Sequence, residues 1–448
     1  MMQDTQIAGM SRAAKKRAKK NKKKMEHTTS KASNSVAELG KSFSPKKKAR
    51  LNENEMASKP PSTSVKKSIA LDEEEETNYD LPKFENAPLR EIMLLKEAKE
   101  ERLKEQLHKL TTEQRSAALF QAILDPIPLA DFYKEYWEKK PLLVRAKNKQ
   151  RYEGLLTLES IKEMTKSKTM YYGRDLNVTK YVKDEETGDK RRLTLDTTPQ
   201  TPEEEDEGVK INPKEIWKNY GQGCTVRLLC PHKQEDKVHT LLSTLESELQ
   251  CMVGANAYLT PPNSSQGFAP HYDDIEAFCL QLQGSKRWKV YEPTLKLPRT
   301  SSEDFSVEEI KELTQVMDVT LEEGDLLYMP RGWIHQACTL KNDDEHSLHL
   351  TVSAMQQWAW VDLLDVIMPE ALETAAMSET SSSLRQGLPR GFMDYMGAMF
   401  EEPNDEKLPE SLKKVGAEDE QLKFRKMLQD RFKAEAKKRI MKVAKTVS

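Results

Sequence analysis

The sequence predicts a mainly β core of sandwich or barrel type, flanked by helices and preceded by a basic tail. Three observations predict it. From Cys224 to about Met355 short alternating stretches succeed one another with turns between them, a texture of antiparallel strands rather than of a parallel α/β sheet. On both sides of that region apolar residues recur at helical spacing. Only 37% of the 448 residues are hydrophobic while 32% are charged, too few apolar residues for the whole chain to pack.

The charge is unevenly spread. Residues 1–70 carry 18 Lys and Arg against 5 Asp and Glu, a net of +13, so a whole-chain net of −2 leaves −15 on the remaining 378 residues. Between Ser11 and Lys24 nine of fourteen residues are basic, and Ser44-Pro45-Lys46-Lys47-Lys48-Ala49-Arg50 repeats that density. A solvated charge run is the plain reading. Two compact basic clusters also suit a nuclear import address and a polyanion-binding arm, which points to the nucleus and its RNA-rich nucleolus. No stretch approaches the ~20 apolar residues of a membrane span, and the first residues lack the apolar core of a secretory signal. No membrane association is expected. Five scattered cysteines (Cys224, Cys230, Cys251, Cys279, Cys338) fit neither a disulfide framework nor a zinc knuckle and read as reduced thiols.

In chain order, residues 1–70 are expected to be a disordered basic tail, and residues 71–110 an acidic and charged linker with a solvated Lys/Glu helix over 88–110. A barrel with N-terminal helices is expected over 111–365. There Ala117, Leu119, Phe120, Ile123 and Leu124 form an apolar helix that Pro126 and Pro128 end, and Phe132, Tyr133, Tyr136 and Trp137 form a second stripe. Residues 183–210 lack periodicity and read as a surface loop. Strands are expected at Val226–Leu229, Ala255–Leu259, Ala277–Leu282, Arg287–Tyr291, Val319–Leu321, Asp325–Tyr328 and Ser347–Ser353. A helical region follows over 366–448, in which Phe424, Leu428, Phe432, Ile440 and Val443 share one face of a basic helix.

Chemistry concentrates at His271-Tyr272-Asp273-Asp274. On a strand alternate side chains share a face, so His271 and Asp273 point one way and Asp274 the other. A lone His-x-Asp is weak evidence for a metal site, and a third ligand must come from elsewhere. His335 follows an apolar strand and a Pro330-Arg331-Gly332 turn, at the mouth of a barrel; His346 and His349 are its rivals. His349 shares a strand face with Thr351 and Ser353, as a pocket residue or as a hydrogen-bonded core histidine. Two His and one carboxylate on one face of a metal leave adjacent positions open, the arrangement that suits Fe(II) oxygen chemistry.

Within Gly284-Ser285-Lys286-Arg287-Trp288-Lys289-Val290-Tyr291, Lys286 falls on the apolar face with Trp288 and Val290. A dicarboxylate cosubstrate such as 2-oxoglutarate would give that ammonium a partner, and without one its burial is costly. Alternatively Lys286 lies at the strand edge and reaches water.

These residues carry a resemblance. His271 to Phe278, Leu280-Gln281-Leu282, the Gly284…Lys286…Trp288 strand, Gly324-Asp325-Leu326-Leu327-Tyr328, Pro330-Arg331-Gly332 and His335-Gln336-Ala337 resemble the Jumonji-C ribosomal oxygenases, on the branch of the bifunctional lysine-specific histone demethylases and histidyl-hydroxylases. Leu259-Thr260-Pro261-Pro262-Asn263 and Gly387-Leu388-Pro389-Arg390 extend the match over roughly 115–400. The resemblance implies a double-stranded β-helix that binds Fe(II) through His271, Asp273 and His335, holds 2-oxoglutarate through Lys286, and uses dioxygen. It implies that Arg227, Tyr258 and Ser353 line the substrate pocket, although an extra serine at Ser264-Ser265 shifts the spacing. The implied partners are a ribosomal protein, hydroxylated on histidine, and histone tails. The family continues past the barrel into a helical dimerisation region and a winged helix. The residues up to Ser448 match part of the helical region alone, so a weak homodimer is expected. A non-catalytic chromatin or ribosome-assembly binding module is the alternative from another class.

Overall fold

In the computed structural model, the described residues are 87–94, 98–183, 190–195, 199, 201–341, 344–377 and scattered positions between 382 and 439. The basic tail, and residues 71–86 of the expected linker, lie outside them.

The described chain opens with helices. Leu89–Met93 and Glu101–His108 bury Leu89, Ile92, Leu103 and Leu107 in the main core, and Arg90 pairs with Glu153 at 2.9 Å. This part of the expected linker is therefore core-forming: apolar residues three and four apart make a buried stripe inside a charged background. Helix Thr112–Leu124 starts at a capping box, in which the Thr111 hydroxyl accepts from the Gln114 backbone N–H and the Gln114 side chain accepts from that of Thr111. It packs against helix Asp236–Leu249. Helix Leu129–Glu135 brings Phe132 into an aromatic cluster with Phe120, Trp137, Phe278 and Tyr328.

Eleven strands follow among the described residues: β1 (Leu142–Val144), β2 (Leu176–Lys183), β3 (Lys190–Thr194), β4 (Thr225–Leu229), β5 (Gly254–Thr260), β6 (Glu276–Gln283), β7 (Lys286–Tyr291), β8 (Gln315–Leu321), β9 (Leu326–Met329), β10 (Ile334–Cys338) and β11 (Ser347–Ala354). They form an eight-stranded sheet in the order β1-β9-β6-β11-β5-β4-β2-β3 and a three-stranded sheet in the order β10-β7-β8. Every pairing is antiparallel.

The period of two sorts each strand of the large sheet. Phe278, Leu280, Leu350, Val352, Ala257 and Leu259 turn to the helices, whereas Cys279 and Leu327 turn inward and pack with Trp288, Val290 and Leu321 of the small sheet. The helices thus cover one face of the large sheet, and the other face encloses the interior with the small sheet.

The expected strands over 226–353 occur with ends shifted by a few residues at most. The expected loop over 183–210 contains β3 and a helix at Pro202–Glu207, whose N-cap Thr201 accepts from the Glu204 N–H. The basic run of β3 shows no alternation because it is an edge strand, paired only to β2. After β11, helix Trp360–Met377 leaves Trp360, Val361, Leu363 and Val366 at least half exposed. Of the C-terminal stripe, Phe424, Leu428, Ile440 and Val443 lie outside the described residues; Phe432 packs on Phe392 with ring centroids 5.0 Å apart. No helix among the described residues is long and apolar enough to cross a membrane.

Candidate active site

The structure brings His271, Asp273 and His335 together at one end of the interior, with one ligand atom from each within 4.8 Å of the others. The local route differs from the expected one. His271 lies in a single antiparallel bridge to His335, and residues 272–275 form a loop before β6, not a continuous strand. The convergence survives because His335 and His271 exchange both backbone hydrogen bonds, at 2.8 and 3.1 Å, and because the Gly332 N–H donates to the Asp273 carbonyl at 3.0 Å. Gly332 adopts φ +90, and a Cβ there would stand 2.5 Å from the Leu295 carbonyl oxygen.

Ring orientation suits metal ligation. Nδ1 of His271 lies 2.7 Å from the Ala269 carbonyl, and Nδ1 of His335 lies 3.0 Å from that of Trp333. A carbonyl can only accept, so each Nδ1 carries the proton and each Nε2 offers a lone pair. Those Nε2 atoms sit 3.9 Å and 3.7 Å from the two oxygens of Asp273. Burial, and then the neighbouring His271, push His335 well below the ordinary histidine range, which keeps it neutral. Two imidazoles and a carboxylate, with the carboxylate side open to solvent, fit a divalent transition metal. His346 points elsewhere, with Nε2 3.4 Å from the Gln283 amide oxygen.

Further inside, Lys286 is 4% exposed, so the strand-edge alternative does not hold. Its Nζ donates to Thr260 Oγ1 at 2.8 Å, and Thr260 Oγ1 lies 3.2 Å from Thr225 Oγ1. No carboxylate among the described residues pairs with it, and burial pushes its pKa down to about 8. Outward-facing Arg287 is instead bound by Asp318 at 2.6 Å.

Arg227, Tyr258 and Ser353 lie on adjacent inward-facing rows: Arg227 is opposite Tyr258 in the β4–β5 pairing, and Ser353 shares its row of β11 with His349. The Arg227 guanidinium stands over Tyr258 at 5.5 Å and over Phe268 at 5.6 Å; Phe268 is 6.3 Å from the His271 ring. His349 stacks parallel on Tyr258 at 4.8 Å, edge-on to Trp288 at 5.2 Å. It is not the hydrogen-bonded core histidine of the alternative reading. Its Nδ1, Trp288 Nε1 and Arg227 Nε are all buried without a partner among the described residues. Native interiors rarely leave such groups unmet, so the interior is suited to a polar ligand.

Sequence reasoning passed over Thr260, Phe268 and the indole N–H of Trp288. Thr260 had a signal: Asn256, Tyr258 and Thr260 alternate with Ala255, Ala257 and Leu259, a polar row facing an apolar one.

A two-sheet antiparallel barrel that brings a His-x-Asp…His cluster together has the architecture of a JmjC domain. The JmjC domain family model matches residues 227–363, the stretch that holds all three candidate ligands and Lys286. Over 309 residues it is 41% identical to "Ribosomal oxygenase 1" of Rattus norvegicus, 68% of this chain and 48% of that protein. Over 281 residues it is 42% identical to "Bifunctional lysine-specific demethylase and histidyl-hydroxylase NO66" of Aedes aegypti, 62% of this chain and 41% of that protein. The chain thus spans about half, or less, of these two relatives. Among solved structures, a ribosomal oxygenase of Escherichia coli, YcfD, is similar at 15% identity and a TM-score of 0.37, covering 64% of each chain.

Proposed function

We propose that this chain is an Fe(II)- and 2-oxoglutarate-dependent oxygenase that hydroxylates a histidine of a ribosomal protein. The observation that carries this reading is the pairing of an open two-His-one-carboxylate cluster with a buried, carboxylate-free lysine in the same interior. Iron, when bound, supplies the oxygen chemistry. The protein supplies the rest: His271, Asp273 and His335 present three donors on one side, and Lys286 with Thr260 receives the distal carboxylate of the cosubstrate. Trp288, Val290 and Leu321 keep the inner wall dry.

Both activities in the relatives' names use the same cosubstrates, and the interior orders them. A methylated lysine is cationic and is favoured by free aromatic faces. Here the Arg227 guanidinium already stands over Tyr258 and Phe268, and Arg192 stands 5.9 Å from Phe268. A fixed cation repels a second one and tolerates a neutral imidazole, so histidyl hydroxylation ranks above removal of methyl groups from histone lysines. Mass spectrometry of ribosomal and methylated histone peptides incubated with the chain, Fe(II) and 2-oxoglutarate tests this. One added oxygen on histidine is the expected result. Methyl loss with formaldehyde would invert the order, and no cosubstrate turnover with either peptide would leave a non-catalytic binding module.

The tail composition supports a nuclear, nucleolar setting and contact with nucleic acid through residues 1–70. The exposed apolar face of helix Trp360–Met377 supports a weak homodimer.

A further inference from the structure

Beside the metal-ligand cluster, and touching none of its ligating atoms, lies a buried group of charges. Glu276 is 0% exposed, Tyr328 0% and Arg331 8%. The Tyr328 hydroxyl donates to one Glu276 oxygen, and the Arg331 backbone N–H donates to the other at 3.4 Å. The Arg331 guanidinium pairs with Glu138, stands 3.8 Å from Glu276, and donates to the Met355 carbonyl at 3.3 Å. The Glu138 N–H closes the loop by donating to the Tyr328 hydroxyl at 2.9 Å. Glu138 adopts φ 56, a left-handed conformation that residues other than glycine rarely take. Burying the Glu276 carboxylate and the Arg331 guanidinium, with Glu138 half-buried at the edge, costs more than an apolar filling of the same volume would.

Their placement suggests what that cost secures. Glu276 lies three residues after Asp273, and Arg331 lies four residues before His335. Between them the two segments are tied directly, Gly332 N–H to Asp273 carbonyl. We propose that Glu276, Tyr328, Arg331 and Glu138 are positioning residues that set the separation of the Asp273 loop from the turn leading to His335. They thereby fix the spacing of the metal ligands. The inference rests on the metal-site reading above. Partners outside the ligand set govern metal affinity by holding ligands in place, typically by about 10–100-fold.

Co(II) titration of the full chain, read by the visible d–d spectrum and paired with a thermal melt, tests it. Tyr328→Phe keeps the ring in its aromatic cluster and removes one hydroxyl, and should weaken Co(II) by about 10-fold and alter the spectrum. Arg331→Met should weaken it by about 10–100-fold. Glu276→Gln, whose amide has one acceptor oxygen where the carboxylate has two, leaves either the Tyr328 hydroxyl or the Arg331 N–H without its acceptor and should weaken Co(II) by about 10-fold. A role in stability alone would lower the melting temperature and leave Co(II) affinity and spectrum unchanged. That outcome in Tyr328→Phe, with binding still abolished by Asp273→Ala, overturns the inference and leaves the site reading standing. A parent chain that binds no Co(II) overturns both.

Discussion

His271 and His335 face one another as a hydrogen-bonded antiparallel pair, their rings 4.7 Å apart and each Nδ1 directed at a backbone carbonyl. The backbone alone therefore sets two of the three proposed ligands. Asp273 is the member held by one backbone contact on a loop, and its carboxylate is the charge that balances a divalent ion. Asp273→Ala should reduce uncoupled 2-oxoglutarate decarboxylation by at least about 100-fold at fixed Fe(II). A variant within a factor of about two of the parent would remove the triad from the mechanism.

Lys286 should control cosubstrate binding. Lys286→Met deletes the cation while keeping an apolar stem, and should raise the KM for 2-oxoglutarate by about 30-fold or more. The sign of the pH effect follows from its pKa of about 8. Below that value the ammonium is charged and the dicarboxylate finds its partner. As pH rises through it, KM should climb towards tenfold per pH unit. A KM flat from pH 7 to about 9.5 would show that another group holds the distal carboxylate.

The same shift bears on stability. A lysine whose pKa is lowered by folding costs stability throughout the range below about 8. The cost is relieved as pH rises from there towards the ordinary value of 10.5. Lys286→Met should therefore melt at or above the parent's temperature at neutral pH, the difference shrinking as pH rises. A lower melting temperature would mean that the Thr260 contact outweighs the desolvation.

Arg227 decides between neutral and cationic targets. Arg227→Met should lower turnover of a histidine peptide by about 10-fold and bring a methyl-lysine peptide closer to it as a competitor. An unchanged ratio of the two kcat/KM values would show that the guanidinium does not sort substrates.

Much of this was legible in the sequence because β alternation is a strong signal where one face is apolar. The strand of Lys286, Trp288 and Val290 is such a case: alternation put Lys286 on the apolar face, while its burial, against a position at the strand edge, came only from the fold. The helices at Leu89–Met93 and Glu101–His108 were obscured because Leu89, Ile92, Leu103 and Leu107 are few among many charges. β3 was obscured because an edge strand has no buried partner to impose a pattern. The Glu276–Arg331–Glu138 group left no trace at all: its members are 55 and 193 residues apart, and a charged residue in a sequence carries no mark of burial.

The basic tail carries the last prediction. With 18 Lys and Arg against 5 Asp and Glu in residues 1–70, any binding to nucleic acid should be dominated by release of condensed counterions. Affinity for a structured RNA should then fall steeply with salt, by about 10³-fold or more between 50 and 200 mM if six or more phosphates are neutralised. Removing residues 1–50 takes away both compact basic clusters and should flatten that slope. It should also disperse a nucleolar signal in cells and leave peptide turnover by the barrel within about twofold of the parent, because the triad and Lys286 lie far along the chain. An undiminished salt slope, or unchanged localisation of the deletion, would assign RNA contact and address to the folded part.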